Sequence, residues 1–228
     1  MKEWLWYEDR QGDPFWNMAV DHVLLQKSGP VGQPLIRFYT WNGPAATFGY
    51  FQKWVDVSQQ TDLRPLIRRP TGGGIVDHRR DLTYSVIVPP HHSWYKKTAR
   101  QSYCDIHQSV AEALDSSSLK VSLAAEPKGP DLGECFLKAE ISDVIAGSKK
   151  VAGAAQRRTR EGLLIQGSIQ VPRPSPLETK KIPQAFLTSL TRREKASLCA
   201  TPWEFTFSAE ATKMAETIYR SDEYNQRR

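Results

Sequence analysis

The chain has 228 residues, with 31 Lys and Arg against 25 Asp and Glu for a formal net charge of +6, and is 39% hydrophobic and 25% charged. That apolar content is enough for a sizeable core and excludes wholesale disorder, while no apolar run reaches the ~18 residues needed to cross a bilayer. Three widely spaced cysteines without a CxxC pair, Cys104, Cys135 and Cys199, argue against a disulfide framework or structural zinc and for a reducing, cytoplasmic setting.

The first fifteen residues mix acids, bases and tryptophans and hold no apolar signal core. Asp13-Pro14 is a helix start, an N-cap residue followed by proline at the first helical position. Phe15, Met18, Ala19, His22 and Leu25 then share one face. Strand-like runs follow at 35–39, 46–48 and 83–88. The spacing of Tyr103, Ile106, Val110 and Leu114 predicts a helix over about 98–114. Further strands are expected at 120–123, 143–145 and 163–165, with Ala146-Gly147-Ser148 turning a hairpin. The four prolines between Val171 and Pro183 read as a surface connection. Thr191 with Glu194 matches a capping box, and a last helix is expected after Ser208, with Ala211, Met214 and Ile218 inward. No repeat, linker or strand–GxGxxG–helix unit is present. The expectation is a single domain over 1–228, of the α/β (α+β) class, with a mixed, largely antiparallel sheet flanked by helices.

Three stretches carry the chemistry. The first is Arg68-Arg69-Pro70-Thr71-Gly72-Gly73-Gly74, followed by His78 and by Leu82-Thr83-Tyr84-Ser85. Three glycines remove every Cβ, so a ligand or another chain segment can approach the backbone closely. Two arginines beside them supply forked donors for phosphate or carboxylate. A flexible hairpin with solvated arginines fits the same residues, and no Gly-Lys-Ser/Thr follows to make a Walker A loop. A single histidine such as His78 is more often a hydrogen-bonded structural residue than a proton shuttle. The second stretch, Gly147 to Arg158, places Lys150 beside the small residues Ala152 to Ala155, and five basic side chains lie between Lys149 and Arg160 without an acid. A solvated basic hairpin is the plainer reading of that run. The third is Gly133-Glu134-Cys135-Phe136. A lone cysteine is usually a small buried apolar group, but one in a loop near a lysine gains thiolate character and can act as a nucleophile. Cys104 and Cys199 read as structural, and His91-His92 lack partners at metal-ligand spacing.

Taken in order, these stretches resemble the biotin/lipoate A/B protein ligase family, which includes lipoate–protein ligases, octanoyltransferases and lipoyl amidotransferases. The resemblance runs from about 13 to 170, through Asn17-Met18-Ala19, Asp21, Phe38, Trp41, Gly49, Gln52, the RRPTGGGIVDH and LTYS segments, Lys150 to Arg157, and Gln166-Gly167-Ser168-Ile169. It implies a catalytic domain related to biotin ligases and class II aminoacyl-tRNA synthetases, and an acyl chain threaded along the glycine turn. It also implies a lysine, matched by Lys150, at the reactive carbonyl. Cys135, fifteen residues before Lys150, resembles the nucleophile of the cysteine-containing acyltransferase branch. The implied substrate-binding set is Arg68, Arg69, Thr71, Gly72, Gly73, Gly74, His78, Gly153, Ala154, Gln156, Gly167 and Ser168. Gln166 departs from the family's usual histidine, Ala154 from a common serine and Leu137 from an acidic residue.

The implied activity is transfer of an octanoyl or lipoyl group from a carrier-protein thioester, through a Cys135 acyl-enzyme, to the lysine of an acceptor domain. Its expected donors are an acyl carrier protein or an acylated lipoyl domain; its acceptors are a lipoyl domain or the glycine-cleavage H-protein. No cofactor and no metal are expected, nor a nucleic acid or membrane partner. Arg68, Arg69 or the basic run ending at Arg160 would meet the carrier. The competing reading is a lipoate–protein ligase, using ATP and Mg2+ through an acyl-adenylate. A non-catalytic binding module is a third reading; the +6 charge permits nucleic-acid binding, but no groove-reading helix or motif supports it.

Overall fold

The structure, a computed structural model, describes residues 2–116, 119–127, 139–170, 176–201 and 204–227. Its first half runs β1 (Lys2–Gly12), α1 (Pro14–Val31), β2 (Leu35–Trp41), β3 (Ala46–Phe48), α2 (Trp54–Gln60), β4 (Leu66–Arg68), β5 (Val76–Asp77) and β6 (Leu82–Val88). A short 3-10 turn (Ser93–Lys96) leads into α3 (Ala99–Asp115), β7 (Ser122–Leu123), β8 (Val144–Ala146), β9 (Lys149–Arg158) and β10 (Leu163–Ile169). The chain then continues through α4 (Pro176–Glu194), β11 (Ala196–Ala200), α5 (Glu204–Met214), a π-helical turn (Ala215–Tyr219) and α6 (Asp222–Asn225).

Eight strands form one sheet in the order β11-β1-β2-β6-β10-β9-β8-β7, and β4-β3-β5 form a small second one. β1 runs parallel to β11 and β2, and the other pairs of the large sheet are antiparallel. The period-two alternation of strand side chains sorts the core into two layers. Ile36, Phe38, Val86, Val88, Leu163 and Ile165 point to α3 and α4, meeting Ile106, Val110, Phe186 and Leu187. Leu35, Ile87 and Leu164 point the other way, onto Val20, Val23 and Leu24 of α1. The mixed, mainly antiparallel sheet flanked by helices is the architecture the sequence implies.

The start of α1 is built as its sequence suggests. Asp13 accepts the N–H groups of Phe15 (3.0 Å) and Trp16 (3.1 Å) with Pro14 in the first turn. Met18, Ala19 and Leu25 are buried as expected, but so are Val20, Val23 and Leu24, because the helix is covered by the sheet on one side and by α5 on another. α3 opens on an unforeseen capping box between Thr98 and Gln101. The hairpin β8–β9 turns at Gly147-Ser148, where Gly147 has φ 61°.

Several expectations need correction. β1 was not foreseen, although Trp4 and Tyr7 are buried; a strand with parallel neighbours buries both faces and loses its alternation. The edge strand β11 leaves Cys199 exposed, so that residue is not a core cysteine. The proline-rich stretch is helical from Pro176, with Pro183 inside the helix, while 171–175 lie outside the described residues. A proline at a helix start sacrifices no intrahelical bond, and the ~3 kcal/mol cost of an interior one is offset by burying Ile182, Phe186, Leu187 and Leu190 at ~1.5–3 kcal/mol each. Thr191 and Glu194 end this helix instead of starting one: the Thr191 hydroxyl donates back to the Leu187 carbonyl at 2.9 Å. Ser208 lies within α5, which begins at Glu204; Ala211 is buried, and Met214 and Ile218 are half-buried. Among the described residues, no helix is long and apolar enough to cross a membrane.

Candidate active site

Strand register builds the site. Gly153 of β9 faces Ser168 of β10, Ser168 faces Thr83 of β6, and Thr83 faces Tyr39 of β2. At ~4.8 Å per strand, this rung spans about 14 Å across the sheet. A narrow cavity of about 40 Å³ lies along it, bounded at one end by Lys150, Gly153, Ala154 and Ala155 and at the other by Tyr39 and Trp41, with Met18 of α1 and Val76 also in its lining.

Lys150 opens the lysine end. Its side chain is only 7% exposed, and its Nζ lies 2.7 Å from Oδ2 of the fully buried Asp143. Gly153 explains how the lysine fits. A Cβ at Gly153 would stand 2.4 Å from Cε and 2.7 Å from Nζ of Lys150, so the missing side chain is the space the ammonium occupies. Asp143 is fixed in turn: its Oδ2 accepts the backbone N–H of Glu140 at 2.6 Å, and its Oδ1 accepts the Tyr103 hydroxyl.

The opposite end is tied by two carboxylate networks. Asp81 Oδ2 accepts from Ser168 Oγ (2.7 Å) and Thr83 Oγ1 (2.9 Å) and pairs with His78 Nδ1 (2.8 Å). His78 Nε2 meets Thr47 Oγ1 at 2.8 Å, and its ring stacks on Trp41 with centroids 3.9 Å apart. Asp21 pairs with Arg37 at 2.8 Å, both side chains fully buried. It also accepts from Tyr39, Ser85 and Gln166. Gln166 thus has a definite place where the resemblance would put an imidazole: its Nε2 donates to Asp21 at 2.7 Å, and its Oε1 accepts from Thr71 at 2.8 Å. A buried pair satisfied this fully holds its geometry, though its net worth in stability is small.

Of the residues singled out in the sequence, Arg69, His78, Lys150, Gly153, Ala154, Gly167 and Ser168 line the cavity, and Thr71 is one hydrogen bond behind Gln166. The three glycines do not line it. Gly72 and Gly73 pack on Gly49, where a Cβ would stand 1.9 Å from the Gly73 carbonyl oxygen, and Gly73 has φ 89°; the Arg69 guanidinium holds the Gly72 carbonyl. Arg68 is fully buried and donates to the carbonyls of Tyr50, Gln52, Tyr224 and Asn225. Arg68 therefore serves the chain's own backbone, where the sequence suggested a carrier-binding surface, while Arg69 ties the Gly72 carbonyl to Thr47 at the cavity wall. Gln156 turns to α3, accepting from Ser102 (3.0 Å) and donating to the Ala99 carbonyl (2.7 Å). Cys135 falls outside the described residues. Asp143 and Tyr103 are the parts that sequence reasoning missed. Asp143 had a signal, a carboxylate seven residues before the lysine across a two-residue turn; Tyr103 had none, since its spacing marks it as core.

The model of the lipoyl protein ligase A/B catalytic domain matches residues 13–175. The chain is 35% identical over 178 residues to the octanoyltransferase LipM of Oceanobacillus iheyensis, a match covering 74% of this chain and 64% of that protein; it thus spans less than two thirds of the relative's length. Protein Ta0514 of T. acidophilum has a similar structure, with a TM-score of 0.76 at 18% identity over the whole of both chains. So does the bipartite lipoate protein ligase of Thermoplasma acidophilum, described with its E2 lipoyl domain, at 0.70 and 17%, over 99% of this chain and 97% of that one.

Proposed function

The chain belongs to the lipoyl protein ligase A/B catalytic-domain family, and we propose that within it the protein is an acyltransferase of protein lipoylation. It takes an octanoyl group from a carrier-protein thioester and delivers it to the lysine of a lipoyl-type acceptor domain. One observation carries this reading: a buried lysine held against a buried carboxylate at the end of a cavity whose lining includes the apolar and aromatic side chains of Met18, Tyr39, Trp41 and Val76. An apolar tail placed along that cavity gains ~0.8 kcal/mol per buried methylene, which positions its carbonyl at the lysine. The 35% identity to an octanoyltransferase supports the choice of acyl group and of transfer over ATP-dependent ligation.

The chemistry proceeds in two displacements. The Cys135 thiolate attacks the thioester carbonyl, the electron pair moves to oxygen, and collapse expels the carrier thiol, which takes up a proton. The acceptor's neutral amine then attacks the Cys135 thioester, loses its proton, and releases the thiolate as the amide forms. The Lys150 ammonium stabilises the oxyanion in both steps; one such donor is worth ~3–4 kcal/mol. A thioester is already activated, so neither ATP nor a metal is used.

Intact mass after incubation with octanoyl-carrier protein tests this. An octanoyl adduct that is present in the wild type and absent in Cys135→Ser is the expected result. Lys150→Ala should lower turnover by a factor on the order of 10²–10³. Unimpaired transfer by Cys135→Ala, together with ATP–pyrophosphate exchange driven by free lipoate, would establish the ligase reaction instead.

A further inference from the structure

We propose that Tyr103 is a positioning residue for acyl transfer, acting through Asp143 to hold the Lys150 ammonium at the reacting carbonyl; this rests on the transferase reading above. Tyr103 lies on α3, outside the motifs that mark the site. Its hydroxyl is nonetheless the meeting point of three elements: it donates to Asp143 Oδ1 ahead of β8 and accepts the backbone N–H of Ala154 on β9 at 3.2 Å, and its ring rests edge-on against His107 of its own helix, centroids 4.2 Å apart.

The carboxylate between Tyr103 and Lys150 has few other restraints. Asp143 is fully buried, with Oδ2 shared by Lys150 and the Glu140 N–H. Without a donor on Oδ1 the carboxylate is held through Oδ2 alone and loses the bond that fixes its rotation about Cβ–Cγ, which loosens its hold on the ammonium. Burial and the charge of Asp143 push the phenol far above its ordinary range. The hydroxyl therefore stays protonated, and a donor, at any working pH. Placement of a stabilising charge matters because an error of about 1 Å can cost up to ~10²-fold in rate, and a group already aligned needs no reorganisation when the oxyanion forms. Tyr103 touches no reacting atom in this scheme; its effect passes entirely through the carboxylate.

Tyr103→Phe removes the hydroxyl and keeps the ring. Two measurements are made on the folded full chain. One is steady-state transfer from octanoyl-carrier protein; the other is the rate at which sulfo-NHS acetate modifies Lys150, mapped by mass spectrometry with exposed Lys149 as the internal standard. In Tyr103→Phe, kcat should fall about tenfold with KM for the donor within about twofold, and modification of Lys150 relative to Lys149 should rise at least about threefold. Asp143→Asn should raise it likewise, and Tyr103→Phe added to Asp143→Asn should change nothing more. Unchanged protection of Lys150, or lost protection with kcat intact, overturns the proposal, as does a Tyr103 effect that persists fully without the carboxylate. A wild type inactive with octanoyl thioesters defeats the transferase reading and with it the catalytic half of this proposal, while the labelling still decides whether Tyr103 anchors the lysine. Should Tyr103→Phe fail to fold, Tyr103→Met, which also lacks the hydroxyl, takes its place in both measurements with the same expected and overturning results.

Discussion

The ammonium of Lys150 occupies the volume a side chain at residue 153 would take. Gly153→Ala should therefore displace it while leaving the strand paired, lowering kcat by at least about tenfold with a change in melting temperature of only a few degrees. A kinetic assay beside a thermal melt checks both. His107, buried beneath Tyr103, gives a second prediction. Burial, reinforced by the nearby charge of Lys150, lowers its imidazole from 6.5 to about 3. The folded protein keeps the ring neutral where the unfolded chain binds a proton, so stability is intact above about pH 6.5 and declines as the pH falls toward 3, by at most ~1.4 kcal/mol per unit. Melts between pH 7 and 4 should show that decline, and His107→Leu should flatten it.

At the scale of elements, the glycine run owes its shape to its neighbour on the loop after β3. A methyl on Gly49 would stand 1.9 Å from the Gly73 oxygen, a clash with backbone that no rotamer relieves. Gly49→Ala should destabilise the protein by roughly 1–3 kcal/mol, measurable by urea unfolding, whereas Gly72→Ala, with open space around its Cβ, should be mild. These cases show what the sequence could reveal. The Asp13-Pro14 cap, the Gly147-Ser148 turn and the lysine of β9 are local, so their residues announce them. Arg68, Gly72 and Gln156 are indistinguishable in sequence from ligand-binding residues, because whether a guanidinium meets a phosphate or four backbone carbonyls depends on segments far along the chain. The same is true of β1 and β11, whose pairing is parallel and distant, and of α4, whose prolines outweigh its apolar stripe in any local reading. Tyr103 looked like core because it partly is; only its hydroxyl does otherwise.

For the molecule as a whole, the clasp around β4 links regions far apart in the chain. Asn225 Oδ1 accepts the Arg68 N–H at 2.9 Å, its side-chain amide donates to the carbonyls of Tyr219 and Ser221, and the Arg68 guanidinium reaches back to the carbonyls of Tyr224 and Asn225. Asn225→Ala leaves the Arg68 N–H without that acceptor and should cost about 1–3 kcal/mol. It should also loosen the loop at 49–52, seen as faster amide exchange there while the β6–β10 ladder stays protected. The partners in this clasp lie 157 positions apart. During synthesis at ~5–20 residues per second, the arginine waits roughly 8–30 seconds for its asparagine. A ribosome-bound or prematurely ended polypeptide that stops short of Asn225 therefore carries β4 and the loop at 49–52 without the residue that clasps them, so this corner of the fold is the last to be secured.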